Sequence, residues 1–176
     1  SFAAAGNPSL RKRYLKEYLL RFQSAETRLY LGRLLIDENN LDQAVQVFAG
    51  MSTATDDEAD YHRSAGILLL QHNRIRPART HLRAALSVYK NNPDFRFNLG
   101  IAEAGSGNLV ESLNHFRACV RMNPTDAAAH FQLGNALQAT GKSHDAVTHY
   151  RKSLQVRPGW MFPANNLAWL LSTHPD

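Results

Sequence analysis

The chain has 176 residues, 44% hydrophobic and 20% charged, the make-up of a folded soluble domain large enough for a real core. No apolar run approaches the ~18–20 residues of a membrane span, and the single cysteine, Cys119, excludes an internal disulfide. The net charge of +5 comes in blocks: +4 over residues 1–24, −5 over 25–58, +5 over 59–92, −1 over 93–126, +3 over 127–160 and −1 over 161–176. Such alternation makes a patchy surface rather than the continuous basic track that a nucleic acid needs.

In chain order, Ser1–Gly6 has no fold signal and is set aside; the absence of an initial Met is expected of a fragment or a processed product. The stretch PSLRKRYLKEYLLRF follows, an amphipathic helix with Leu10, Tyr14, Leu15, Tyr18, Leu19 and Phe22 on one wide face. Ser9 is expected to cap it. Its basic residues Arg11, Lys12, Arg13, Lys16 and Arg21 would suit a membrane surface, but packing on the element that follows is the favoured reading.

From residue 25 the sequence repeats. Leu99-Gly100 precedes Leu133-Gly134 by 34 residues, Leu31-Gly32 precedes it by three times that, and Ala65-Gly66 and Leu167-Ala168 fall on the same phase. The units are 25–58, 59–92, 93–126 and 127–160, with 1–24 as an N-terminal tail and capping helix and 161–176 as a partial fifth unit or cap. Three further columns keep step: Ala44, Ala78, Ser112 and Ala146 are small, Phe48, Leu82, Phe116 and Tyr150 are bulky, and Asn39, Asn73, Gly107 and Gly141 tolerate the left-handed backbone that ends a helix. Each unit therefore reads as helix, tight turn, helix, the second helix opening at Leu41, Ile75, Leu109 or Ser143, with Pro77 in a first turn where proline is tolerated.

A glycine inside a helix costs about 1 kcal/mol relative to alanine. The expected compensation is close approach of the two helices of a unit at Gly134 and Ala146, with the bulky column filling the seam to the next unit. Unit one is expected to end its second helix early, in an acidic loop at Asp56-Asp57-Glu58. The final stretch PANNLAWLLSTHPD reads as a lone first helix, stopping where a second would begin as a truncated array would, with Trp160, Phe162 and Trp169 partly uncovered.

The period and its columns resemble the tetratricopeptide repeat (TPR) family. The likeness covers about 150 residues and is strongest over AAAHFQLGNALQATGKSHDAVTHYRKSLQVRP. The family's bulky aromatic near the start of each unit is replaced by Arg28, His62, Arg96 and His130. The resemblance implies an all-α fold, a right-handed α-α superhelix of about four and a half helix pairs with capping helices at both ends. The C-terminal helix is similar to the last helix of bacterial tetratricopeptide arrays attached to larger enzymes.

Catalytic chemistry is not evident. His81, His115 and His149 share a column of the second helices, but neighbouring helices are ~8–10 Å apart and a zinc ion needs each nitrogen at about 2 Å; no metal or cofactor is assigned. Gly105-Ser106-Gly107 lacks the strand and Lys-Ser/Thr of a phosphate loop and reads as a turn. Cys119 lies in a small-residue column with Ala85 and Ser153 and is expected to be buried and inert. Arg83, Arg117 and Arg151 repeat on the second helices and read as a solvated outer face.

In the family, first helices line a concave groove that holds peptides or partner helices. The resemblance assigns to that groove Arg33, Arg63, Phe97, Asn98, Phe131, Gln132, Asn135, Asn165, Asn166 and Trp169. Asn98, Gln132 and Asn166 form a primary-amide series, each offering a donor and an acceptor to a peptide backbone; it is similar to the asparagine ladder in the repeats of O-GlcNAc transferases, or it is plain polar surface. Phe97, Phe131 and Trp169 add aromatic anchors. The family's two-carboxylate clamp is not matched: Arg63 and Asn98 fit, but Ile67, Ala128 and Gln132 replace its other members, and a frame using Arg33 meets Asp94. The expected function is a non-catalytic protein-interaction scaffold holding a peptide or partner segment. The alternatives are a regulatory or substrate-presenting appendage of a sulfatase- or glycosyltransferase-like enzyme, or a module that self-associates through its C-terminal end. Nothing in the sequence distinguishes a cytoplasmic from a periplasmic compartment.

Overall fold

A computed structural model describes residues 8–22, 24–49, 51 and 56–173. The described residues form helices and turns only. The helices are α1 (Pro8–Phe22), α2 (Ala25–Asp37), α3 (Leu41–Phe48), α4 (Asp56–Gln71), α5 (Ile75–Val88), α6 (Pro93–Gly105), α7 (Leu109–Met122), α8 (Ala127–Ala139), α9 (Ser143–Val156) and α10 (Met161–Thr173). They fall into two compact units, residues 1–90 and 91–176.

The turn chemistry read from the sequence is what joins each helix to its mate. Asn39, Asn73, Gly107 and Gly141 all take positive φ, at 61°, 57°, 80° and 76°. At each of them the next N–H reaches back to a carbonyl five residues earlier: Asn40 to Leu35, Arg74 to Leu69, Asn108 to Glu103 and Lys142 to Leu137, at 2.7–2.9 Å. This double-bonded termination satisfies the orphan carbonyls of the first helix and turns the backbone at once into the second. Second helices accordingly start at Leu41, Ile75, Leu109 and Ser143 with no side chain bonded to the first turn as a cap. First helices are capped by side chains: Ser24 accepts from the Thr27 amide, Asn92 from Asp94 and Phe95, and Asp126 from Ala128 and Ala129.

The mid-helix glycines sit beneath the bulky column of their own unit. A Cβ added to Gly134 would stand 2.6 Å from Tyr150 Cε1, one added to Gly100 would stand 2.8 Å from Phe116, and one added to Gly66 would stand 2.6 Å from Leu82. The bulky residues therefore fill the contact within a helix pair, which corrects their expected place in the seam between units. The bulky side chain sits where a Cβ would be, and only glycine leaves room for it.

Within residues 8–90, Leu19, Leu31, Leu35, Phe48, Tyr61 and Leu69 belong to one core. Leu15 and Leu19 pack α1 onto α2, and Arg11 donates to Tyr30 Oη at 3.0 Å while Lys12 pairs with Glu38. The rest of the expected apolar face of α1 is open: Leu10, Tyr14, Tyr18 and Phe22 are 36–60% exposed. The register explains this. Tyr14 stands one period before Phe48, in the column that seats on a first helix, and no described helix precedes α1. Ser9 lies inside the first turn of α1 and does not cap it, because the helix already begins at Pro8. Asp56, Asp57 and Glu58 are likewise not a loop but the first turn of α4, where the positive end of the helix dipole favours acidic residues.

The second helix of the first pair does end early, at Phe48. Arg28 donates to the carbonyls of Val47 and Ala49, both at 2.9 Å, and so serves the carbonyls at that end. Within residues 91–173, Leu113, Phe116, Leu133, Leu137, Tyr150 and Leu170 share the second core.

Candidate functional site

The groove residues expected from the sequence divide between the two units. In the first, Arg33 is exposed on α2, and Arg63 on α4 lies 3.5 Å from Asp60. In the second, Phe97, Asn98, Phe131, Gln132, Asn135 and Asn166 are half-buried, and Asn165 and Trp169 are exposed.

Three of the amides meet around one phenol. Tyr150 reaches from α9 past Gly134, and its Oη lies 2.8 Å from Asn135 Oδ1 and 2.7 Å from Gln138 Oε1. A phenol has one hydrogen, so it donates to one of these oxygens at a time. Asn166 Nδ2 donates to Asn135 Oδ1 at 2.9 Å and to Tyr150 Oη at 3.3 Å, and Asn135 Nδ2 donates to Gln132 Oε1 at 3.2 Å. Burial raises the Tyr150 phenol above its ordinary range, with the Asn166 bond opposing it, so the hydroxyl keeps its proton. The network spends only part of its capacity. Gln132 Nε2, Gln138 Nε2 and Asn166 Oδ1 have no partner among the described residues.

Asn98 does not join this group. Its Nδ2 donates to Asp94 O at 2.8 Å, one turn back on its own helix. Tyr150 and Gln138 were missed by the sequence reading. Tyr150 was absorbed into the bulky column, and nothing in its spacing told that its hydroxyl passes the glycine to reach Asn135 and Gln138.

Aromatic area adjoins the amides. Phe131 lies 5.0 Å from the Trp160 ring, 6.1 Å from Tyr150 and 6.4 Å from Phe162. Phe97 meets the edge of Phe116 at 5.8 Å. Phe162 is 63% and Trp169 52% exposed. The helices of this face, α6, α8 and α10, carry no lysine, and their one arginine, Arg96, lines a cleft with α7 residues. Their carboxylates are Asp94 and the buried Glu103, which accepts from Asn108 Nδ2. The face is therefore close to neutral.

Two histidine pairs were also missed. His62 Nδ1 lies 2.7 Å from His81 Nδ1, and His130 Nδ1 lies 2.9 Å from His149 Nδ1. Both pairs span 19 residues, and the second repeats the first two periods later. The sequence reading compared histidines on the second helices, whereas each pair joins the unit-start column to the second helix of the same unit. His130 Nε2 donates to the Pro124 carbonyl at 3.0 Å, so in neutral His130 the Nδ1 is the acceptor and His149 Nδ1–H the donor. Burial first, and the partner histidine second, push His81 and His149 down to about 4. No group of three or more His, Cys, Asp or Glu side chains that could hold a metal gathers among the described residues. No described helix is long and apolar enough to cross a membrane.

Cys119 is buried, and its Sγ donates to the Pro93 carbonyl at 3.5 Å. Ser153 repeats the arrangement one period later, donating to Ala127 O at 2.8 Å.

No curated protein matches this chain in sequence. Among solved structures, YrrB, described as a TPR protein with an unusual peptide-binding site, is 20% identical, with a TM-score of 0.73 over 93% of this chain and 84% of that one. Residues 41 to the end of MamA from Desulfovibrio magneticus RS-1 are 21% identical, with a TM-score of 0.68 over 89% of each chain. The first TPR of Spaghetti (RPAP3), solved with the HSP90 peptide SRMEEVD, is 17% identical, with a TM-score of 0.64 over 68% of this chain and 94% of that one. Two family models described as tetratricopeptide repeat match residues 63–127 and 115–148. Residues 63–148 are thus tetratricopeptide repeats, and with its 34-residue phase and glycine-seated helix pairs the chain has the all-α solenoid fold of that family.

Proposed function

We propose that this chain is a non-catalytic protein-interaction module that holds an extended, uncharged segment of a partner protein on the α6–α8–α10 face. The observation that carries the reading is the amide network around Tyr150, with Gln132 Nε2, Gln138 Nε2 and Asn166 Oδ1 left unsatisfied beside Phe131 and Phe162. Donors and an acceptor on fixed supports can pair with the carbonyl and N–H groups of a peptide backbone whatever the ligand's side chains are. The adjoining rings give apolar area for one or two side chains. The neutral face argues for a ligand unlike the acidic HSP90 peptide seen on the Spaghetti repeat, because no lysine and no groove-facing arginine is there to meet carboxylates.

The test is a peptide-library screen, then titration of a hit against Gln132→Ala with Asn166→Ala. Two lost hydrogen bonds, each contributing about 0.5–1.5 kcal/mol, should weaken binding about tenfold with little dependence on salt. Unchanged affinity in the double variant with the helical signal intact would remove the amides from the mechanism.

A second reading rests on the apolar exposure of α10. Met161, Phe162 and Trp169 are 70%, 63% and 52% exposed, and Phe162 and Trp169, seven residues apart, lie on the same side of the helix. A cluster of that kind favours association with a second apolar surface, another copy included.

A further inference from the structure

A cleft of about 500 Å³ opens beside α7, lined by Arg96, Arg117, Arg121, Asn91 and Asn114 together with Met122. Asn114, Arg117 and Arg121 are three and four residues apart and so project from one face of α7. Arg96 reaches the same space from α6. The charge is segregated. Residues 93–126 contain three basic side chains, and all three line this cleft. The same stretch contains the carboxylates of Asp94, Glu103, Glu111 and Asp126, and none of them lines it. Neither Arg117 nor Arg121 is in an ion pair among the described residues. A lone arginine in the last turn of α7 would be accounted for by the helix dipole; three guanidinium groups drawn together repel one another, and that repulsion is relieved by an anion.

We propose that this cleft binds an organic phosphate, with the phosphoryl oxygens held by Arg96, Arg117 and Arg121 and the polar remainder by the carboxamides of Asn91 and Asn114. A phosphate monoester carries nearly two negative charges at neutral pH and three acceptor oxygens, which several guanidinium forks can share. A single carboxylate offers one negative charge and two oxygens, enough for one fork. The volume falls within the ~300–1,000 Å³ of small-ligand clefts, large enough for more than the phosphoryl group alone. This site is on α7, and the inference stands or falls independently of the amide face.

The probes are free phosphoserine, a short peptide containing phosphoserine, the same peptide unphosphorylated, and citrate. Each is titrated into the whole protein by calorimetry at two salt concentrations. Binding of both phosphorylated probes, at least about tenfold tighter than citrate and weakening as salt rises, is the expected result. Affinity equal for the two phosphorylated probes points to a free organic phosphate as the source, and tighter peptide binding points to a phosphorylated protein; both support the cleft. The Arg117→Gln, Arg121→Gln double variant should lose at least about tenfold in affinity, since hydrogen bonds to charged groups are the strong ones. Its helical circular dichroism and melting point should be retained, because these side chains are half-buried and exposed and hold no ion pair. Absence of binding by both phosphorylated probes, equal binding of citrate, or an affinity unchanged in the folded double variant would each overturn the proposal.

Discussion

The ring of Tyr150 occupies the space a Cβ on Gly134 would need, at 2.6 Å from Cε1 and 2.7 Å from Cδ1. Two effects compete in Gly134→Ala. Helix propensity favours alanine by about 1 kcal/mol, and overpacking a filled contact costs about 1–3 kcal/mol. The ring cannot yield as a flexible side-chain end would, because Tyr150 is fully buried and its hydroxyl is tied to the amide network. Net destabilisation is expected, read as a lower urea midpoint. Restoring room with Tyr150→Leu in the same protein should recover part of the loss; a Gly134→Ala protein more stable than the parent would show that the ring moves aside freely.

The histidine pairs make stability fall in acid. His81 and His149 are held down to about 4, against an ordinary 6.5 in the unfolded protein. Between those values the unfolded state binds protons that the folded state refuses, so unfolding becomes easier as pH falls. Stability should be level above pH 7, decline from about 6.5 and reach its floor near 4, each unit of difference corresponding to about 1.4 kcal/mol for a fully buried group and less for half-buried His149. Around His149, Lys152 and Arg117 add to the depression and Asp145 opposes it. Urea midpoints measured from pH 8 to 4 should show the slope in the parent and a shallower one in His81→Asn.

Cys119 should be inert in the folded protein. Burial, with Asp126 adding to it, pushes its thiol up to about 11, so little thiolate forms at neutral pH. Reaction with a disulfide reagent at pH 8 should be slow and should accelerate on adding denaturant. Cys119→Ser should fold normally, because Ser153 already makes the corresponding bond one period later. Rapid labelling without denaturant would contradict this burial.

Exposure around α10 gives a concentration-dependent expectation. Phe162→Ser with Trp169→Ser removes two large exposed rings that hold little of the core. If these rings drive association, sedimentation at high concentration should show the parent as more than a monomer and the double variant as a monomer, with similar melting points. A parent that stays monomeric at every concentration would leave them to another partner.

The helix pairs were legible because their signals are local. Left-handed Asn and Gly, small and bulky columns, and a 34-residue phase all act within a few residues along the backbone, and the second helices open where those signals place them. Ser9 and Asp56–Glu58 misled for the same reason: polar residues suit a cap, a loop or a first turn alike, and the choice depended on where each helix could begin. What the sequence alone did not determine were relationships across a pair of helices. Tyr150 meets Asn135, Gln138 and Asn166 because the glycine leaves room for its ring against α8, a depth of approach that no column of residue types encodes. His62 finds His81, and His130 finds His149, because the turn brings residues 19 apart face to face. Arg96 stands 21 residues before Arg117 and joins Arg117 and Arg121 in one charged cleft only when α6 and α7 fold together. Period and turn residues set which helices form and in what order; the packing distance between them decided which side chains could meet.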